Sequence, residues 1–252
     1  MISYNYFSEA GLEIPSLPEQ TKIANFLTAV DDKISQLKKK KELLEQYKKG
    51  VMQKIFSQEL RFKDENREDF AEWEEKNGNE LFENISDKNH KSDLPILAIT
   101  QDKGAIPRDM IDYNISVTDK SVESYKVVQV GDFIISLRSF QGGIEYSEYK
   151  GICSPAYIIL RPKTDIDRRY YKYFLKTERY IKQLNLKLEG IRDGKMISYK
   201  YFSDILLPIP SLPEQTKIAN FLSAIDDKIS HCGKQIEGME RWKKGLLQQM
   251  FV

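Results

Sequence analysis

Apolar side chains recur at steps of four and three along residues 18–56, at Ile23, Leu27, Val30, Ile34, Leu37, Leu44, Val51 and Ile55, with Lys41 and Lys48 filling two slots. Near the other end the same frame holds Ile218, Leu222, Ile225, Ile229, Cys232, Ile236, Met239, Leu246 and Met250, with Lys243 filling one slot. Each stretch is a heptad seam, which predicts a long helix that packs on another helix. At ~1.5 Å per residue, a helix from Pro18 to Phe56 is on the order of 57 Å long, more than a small core needs. The obvious partner of each is the other, with Leu27, Val30 and Ile34 expected near Leu222, Ile225 and Ile229. Between them the period shortens. Residues 94–100 (LPILAIT), 127–130, 133–137 (FIISL) and 156–160 (AYIIL) are short β-rich runs bounded by Gly, Pro and Asp. Residues 167–188 return to helical spacing through Tyr170, Tyr171, Phe174, Leu175, Ile181 and Leu184. The expectation is an α+β fold, with one mixed α/β domain flanked by two long helices that form an antiparallel coiled coil.

The two helical stretches are copies of one another. Shifted by 195 positions, residues 1–56 fall on 196–251 with roughly 36 of 56 positions identical, including all of 14–27 (IPSLPEQTKIANFL) against 209–222. The spacing is too long for a solenoid, whose repeats run at ~20 to 50 residues. Each copy ends an extended stretch in a Pro pair (Pro15 and Pro18; Pro210 and Pro213), which disfavours helix before it and suits a helix start after it. Glu19 and Glu214 then fall in the first turn, where the helix macrodipole favours negative charge. Residues 1–12 match 196–207, the end of the mixed domain, so the chain looks like the second half of a longer tandem protein. Four parts follow: a strand-like lead-in at 1–17, a helix at 18–57, the mixed domain at 58–207 and the second helix at 208–252. Residues 58–75 are densely charged around Trp73 and read as a linker into the domain.

Composition changes this picture little. Among the 252 residues, 39 Lys+Arg balance 38 Asp+Glu, so the chain is no histone-like polycation, yet basic residues clustered on one face still permit nucleic-acid binding. With 40% hydrophobic and 11% aromatic residues it has the means to bury a core. No apolar run approaches the ~20 residues of a membrane span. Cys153 and Cys232 with two His offer neither a disulfide framework nor a zinc ligand set, and a reducing cytoplasm is the default location.

Candidate chemistry lies in four polar loops, 87–93 (DKNHKSD), 101–108 (QDKGAIPR), 138–143 (RSFQGG) and 189–195 (EGIRDGK). They supply the donors that read phosphate oxygens and base edges. The candidate DNA contacts are Lys91, Thr100, Gln101, Lys103, Arg138, Ser139, Gln141, Arg192 and Lys195, with the two arginines best suited to bidentate guanine contacts. Other patterns carry less. Residues 190–195 (GIRDGK) lack the spacing and the Ser or Thr of a phosphate-binding loop. Asp132, Glu148 and Lys150 can be threaded onto a metal-dependent nuclease pattern, but such short patterns arise by chance in a chain that is 31% charged. The Lys38–Lys41 run reads as a solvated helix face, and Cys232, whose repeat partner is Leu37, as a small hydrophobe in the seam.

The repeated IPSLPEQTKIANFL, together with GDFIIS and GICSPAYIILRP between the copies, resembles the specificity subunits of type I restriction-modification systems. In that family two target recognition domains alternate with two helical regions that open on such a Pro-rich signature. This chain carries one recognition domain, so it resembles a half-length form. The resemblance implies a non-catalytic, sequence-specific binder of double-stranded DNA. Its paired helices would dock two methyltransferase subunits, a restriction subunit would join them, and the methyl donor would belong to the partner, leaving this chain without cofactor or metal. A half subunit then needs a second copy, and a two-fold homodimer would read an inverted repeat. Helices on the order of 57 Å and ~3.4 Å per base pair put the half-sites no more than about 17 bp apart. The alternative is a coiled-coil scaffold, or a silent fragment, whose central domain binds protein rather than DNA.

Overall fold

The structure is a computed structural model that describes residues 14–91, 93–111, 122–186 and 197–250. Its elements, in chain order, begin with α1 (Leu17–Phe56), β1 (Glu74–Asn77), α2 (Gly78–Leu81), β2 (Phe82–Ile85), β3 (Leu97–Thr100) and β4 (Gly104–Pro107). After a 3-10 turn at Arg108–Met110 come β5 (Lys126–Val128), β6 (Phe133–Ile135), α3 (Ser139–Gly142), β7 (Glu145–Tyr146), β8 (Gly151–Cys153) and β9 (Ile158–Pro162). The chain continues through α4 (Arg168–Phe174), α5 (Glu178–Leu186), α6 (Tyr199–Ser203), β10 (Leu206–Ile209) and α7 (Leu212–Met250). By contacts it divides into two compact units, one of residues 1–48 with 225–252 and one of residues 49–224, and both boundaries fall inside the long helices.

The first unit pairs α1 with α7 in antiparallel fashion within one chain. Lys48 Nζ meets Asp226 Oδ1 at 2.5 Å and Lys243 Nζ meets Asp31 Oδ1 at 2.5 Å. These are one contact made twice, because Asp31 and Asp226 are repeat equivalents, as are Lys48 and Lys243. The unit is thus pseudo-two-fold symmetric. Val30, Ile34, Leu37, Ile225, Cys232 and Ile236 are buried, as the heptads require, while Leu27 and Ile229 are half-buried. The register corrects the expected pairing. With Asp31 opposite Lys243, the Val30 and Ile34 turns lie beside the Lys243 region, and Ile229 and Ile225 are 14 and 18 residues further along α7, on the order of 20 Å away. Heptads specify a seam but leave its register to cross-helix pairs. Lys38, Lys39 and Lys41 of the basic run are met by Glu240, Glu42 and Glu45.

In the second unit, β2, β9, β6 and β7 form a four-stranded antiparallel sheet in the order β2-β9-β6-β7, beside the pairs β3-β4 and β5-β8. Leu97, Ala105, Val128, Ile134, Cys153 and Ile159 fill the core between them. Around Phe82 an edge-to-face group of Phe133, Tyr171 and Phe202 joins the sheet to α4 and α6. The helix expected over 167–188 is two helices: Asp167 caps α4 by accepting from Arg169 N, and Thr177 breaks the run by donating to Phe174 O and accepting from Tyr180 N. Two further differences from the expectation matter. Residues 104–107, read as loop, form β4. Residues 58–75, read as a linker, form a packed strap: Arg61 and Trp73 both bond Glu214, and β1 pairs with β10, so the two ends of the domain are joined.

Candidate DNA-recognition surface

The β3–β4 hairpin turns at residues 100–104, where Thr100 Oγ1 accepts from Lys103 N at 3.1 Å and donates to Gly104 O at 3.0 Å. The Thr100 hydroxyl therefore shapes the turn, and Gln101 and Lys103 are exposed on it. The turn lies against a second one. Gln101 Nε2 donates to Arg138 O at 3.3 Å, and its side chain covers Gly142, where a Cβ would sit 2.9 Å away. Between β6 and α3, Ser136 N donates to Ser139 Oγ at 2.8 Å and Arg138 N to Ser136 Oγ at 3.2 Å. Ser139 is buried by this role, while Arg138 and Gln141 face solvent.

Of the candidate contacts, then, the structure brings Gln101, Lys103, Arg138 and Gln141 together as exposed side chains, and uses Thr100 and Ser139 to hold the two turns that carry them. Lys91 is exposed on a separate loop, and Arg192 and Lys195 lie outside the described residues. Arg108, at the end of the 101–108 loop, is half-buried. Arg108 and Arg138 both act on the Tyr157 phenol, which burial pushes up and the two cations pull down. The Arg108 Nε and Nη1 are buried with no hydrogen-bond partner among the described residues. These buried, unpartnered nitrogens set Arg108 apart from the other loop residues, and sequence reading lacked that signal because a lone Arg after Pro107 looks like any loop residue.

A buried ion pair anchors this surface from beneath. Lys176 Nζ donates to Gln101 O at 3.2 Å and to Glu145 Oε1 at 2.5 Å, and Glu145 is buried with its Oε2 unpartnered. Burial raises the Glu145 pKa, against the pull of Lys176. A raised pKa means that the folded state holds the proton more tightly, so this group's stabilisation is present in acid and lost as pH rises through its folded pKa. Wild type is therefore expected to lose thermal stability relative to Glu145→Gln as pH rises above the ordinary carboxylate range; melting curves of both from acid to neutral pH check it, and a constant difference would refute the assignment.

The threaded nuclease pattern does not assemble. Asp132 is held bidentately by Arg161 at 2.8 and 2.7 Å and accepts from Gln129 N, and Glu148 pairs with Lys172. No cluster of three or more His, Cys, Asp or Glu side chains is placed to hold a metal ion among the described residues. Cys153 is buried, and burial pushes its thiol up to about 12, which leaves it unreactive.

Comparison with known proteins gives the family. The family model described as type I restriction modification DNA specificity domain matches residues 1–46 and 63–240. The chain belongs to that family. It is 31% identical to a putative type I restriction enzyme MjaX specificity subunit of Methanocaldococcus jannaschii over 96% of this chain, and 27% identical to the MjaVIII specificity subunit of the same organism over 98%. It spans 58% and 62% of the lengths of those two relatives. Among solved structures it shares its fold with a type I restriction-modification S subunit from M. genitalium, with a TM-score of 0.57 at 18% identity. That match covers 94% of this chain and 62% of the other. The HsdS subunit from Thermoanaerobacter tengcongensis gives 0.52 at 20%, covering 94% and 59%. No helix among the described residues is long and apolar enough to cross a membrane.

Proposed function

We propose that this specificity-family chain is the non-catalytic DNA-reading subunit of a type I restriction-modification complex in the cytoplasm, and that residues 58–207 read one half of a bipartite site. The observation that carries this reading is the pair of abutting turns in which Gln101, Lys103, Arg138 and Gln141 are exposed on an ordered hairpin and sheet. Amides and guanidinium groups fixed on rigid elements are what base-edge recognition in the major groove requires. Lys91, Arg192 and Lys195 are the further candidate contacts, suited to phosphates flanking the bases.

Methyltransferase subunits dock along the paired α1 and α7, and a restriction subunit joins the assembly. With a single recognition domain, two copies pair as a homodimer and read an inverted repeat. Mapping methylated bases in cells that carry the chain with its methyltransferase subunit tests this. A two-part palindrome is the expected motif. An asymmetric motif would replace the homodimer with a mixed pair, and no motif would overturn the DNA-reading function.

Arg138→Ala is expected to cost about 1–3 kcal/mol of discrimination between cognate and scrambled duplex, because a bidentate arginine contact is worth that much. Binding measured on both duplexes at fixed salt checks it, and unchanged discrimination removes Arg138 from the reading set. Affinity that falls steeply with salt separates this function from a protein-binding scaffold, which has no duplex affinity to lose.

A further inference from the structure

Leu175 and Lys176, at the junction of α4 and α5, hold both turns of the recognition surface. Lys176 Nζ donates to Gln101 O in the β3–β4 turn at 3.2 Å. Leu175 O accepts from Ile144 N at 3.3 Å, just past the turn that carries Arg138 and Gln141, and Gly143 packs so close to the same oxygen that a Cβ would not fit. The junction is itself fixed, because Thr177 Oγ1 donates to Phe174 O at 2.8 Å and accepts from Tyr180 N at 3.3 Å. With Gln101 Nε2 bonded to Arg138 O, the two turns and the junction close a triangle. Further along α5, Asn185 Nδ2 adds a bond to Phe140 O at 2.9 Å.

The Lys176 side of that triangle rests on a buried charge. Its ammonium is bonded to Glu145 Oε1, and Glu145 is 1% exposed with Oε2 unpartnered. Stability gives little reason for such a pair. Desolvating two charges costs about as much as their attraction gains, and well-packed apolar side chains in the same space are often as stable or more so. An oxygen left without a donor adds to the cost. What apolar side chains cannot do is reach a main-chain carbonyl and fix its place. The carbonyl that Lys176 fixes belongs to Gln101, the residue whose side chain lies against Arg138 O.

We infer that Lys176 is a positioning residue for sequence discrimination: held by Glu145, it fixes the Gln101 turn against the Arg138 turn from beneath, without contacting DNA. This rests on the DNA-reading function proposed above, and part of its test contains no DNA. A shift of about an ångström in either turn is enough to lose a two-bond contact with a base edge, because both donor–acceptor distances must stay within hydrogen-bond reach. Lys103 and Gln141, carried on the same turns, move with them.

Replacing the pair by Lys176→Met with Glu145→Leu in the full chain separates positioning from stability. The melting temperature is expected to equal or exceed that of wild type. Hydrogen exchange of amides 101–104, among them Lys103 N on Thr100 Oγ1, is expected to quicken at least ~10-fold while β6 and β9 keep their protection. Between a duplex carrying the motif found by methylation mapping and a scrambled one, discrimination is expected to fall ~10-fold, with affinity for the scrambled duplex unchanged.

Unchanged exchange at 101–104 would overturn the proposal, as would full discrimination from a turn that has loosened. A wild type that favours neither duplex would sink the DNA-reading function instead, and the exchange readout would still decide whether Lys176 holds the turn. If the double variant does not melt cooperatively, Lys176→Met with Glu145→Gln, which keeps a polar group at 145, takes its place and the same outcomes decide.

Discussion

Replacing Glu214 with Ala is expected to destabilise the protein by about 3 kcal/mol, the lower end of the cost of breaking a buried ion pair. Glu214 is fully buried and accepts from Arg61 Nε at 3.3 Å, Arg61 Nη2 at 3.1 Å and Trp73 Nε1 at 2.9 Å. Truncation strands an indole N–H and a guanidinium. The loss stays at the lower end because Arg61 keeps its bonds to Phe70 O, Ala71 O and Glu72. For a chain of this size the melting temperature falls on the order of 10 °C. Glu19→Ala, the same substitution in the exposed copy, is expected to change stability by less than about 0.5 kcal/mol. Thermal unfolding of the two variants side by side is the check, and equal losses would mean that Glu214 acts only as a first-turn acid.

The second large effect is expected at Gly143, which closes the turn that presents Arg138 and Gln141. Its φ is +82°, a left-handed value that side chains disfavour, and a Cβ there would stand 2.2 Å from Leu175 O, which is backbone and has no rotamer with which to yield. Gly143→Ala is expected to cost about 3 kcal/mol or more, from strain and displacement of the turn together. Because that displacement reaches the Gln101–Arg138 contact, specific DNA affinity should fall along with stability in the same preparation. A stable variant with native affinity would show that the turn is held by its hydrogen bonds alone.

The helices were readable in the sequence because a seam sustained over many heptads admits one interpretation, and the repeat supplied its partner. Their register was not readable. Val30 fits any apolar position of the facing helix, and only the Asp31–Lys243 and Lys48–Asp226 pairs, distant in sequence, choose one. Among the strands, β6 and β9 were visible as Ile-rich runs, whereas β1 (EEKN) has all four residues exposed and forms because β10 lies alongside. The same limit applied to the site. Glu214 looked like an ordinary first-turn acid since Arg61 and Trp73 stand about 150 and 140 residues away in sequence. Thr100 and Ser139 were chosen for their chemistry, and the structure spends that chemistry on shaping turns.

The β1–β10 pairing sets Glu74 opposite Ile209 and Asn77 opposite Leu206. Everything from 78 to 205 is therefore a closed excursion that leaves and re-enters at one place. Its ends are joined by main-chain bonds, to which Glu80 and Tyr171 add side-chain bonds at Asn77 N and Pro208 O. A different excursion, longer or shorter, would have to leave and return at the same spacing and supply its own partners for Asn77 N and Pro208 O.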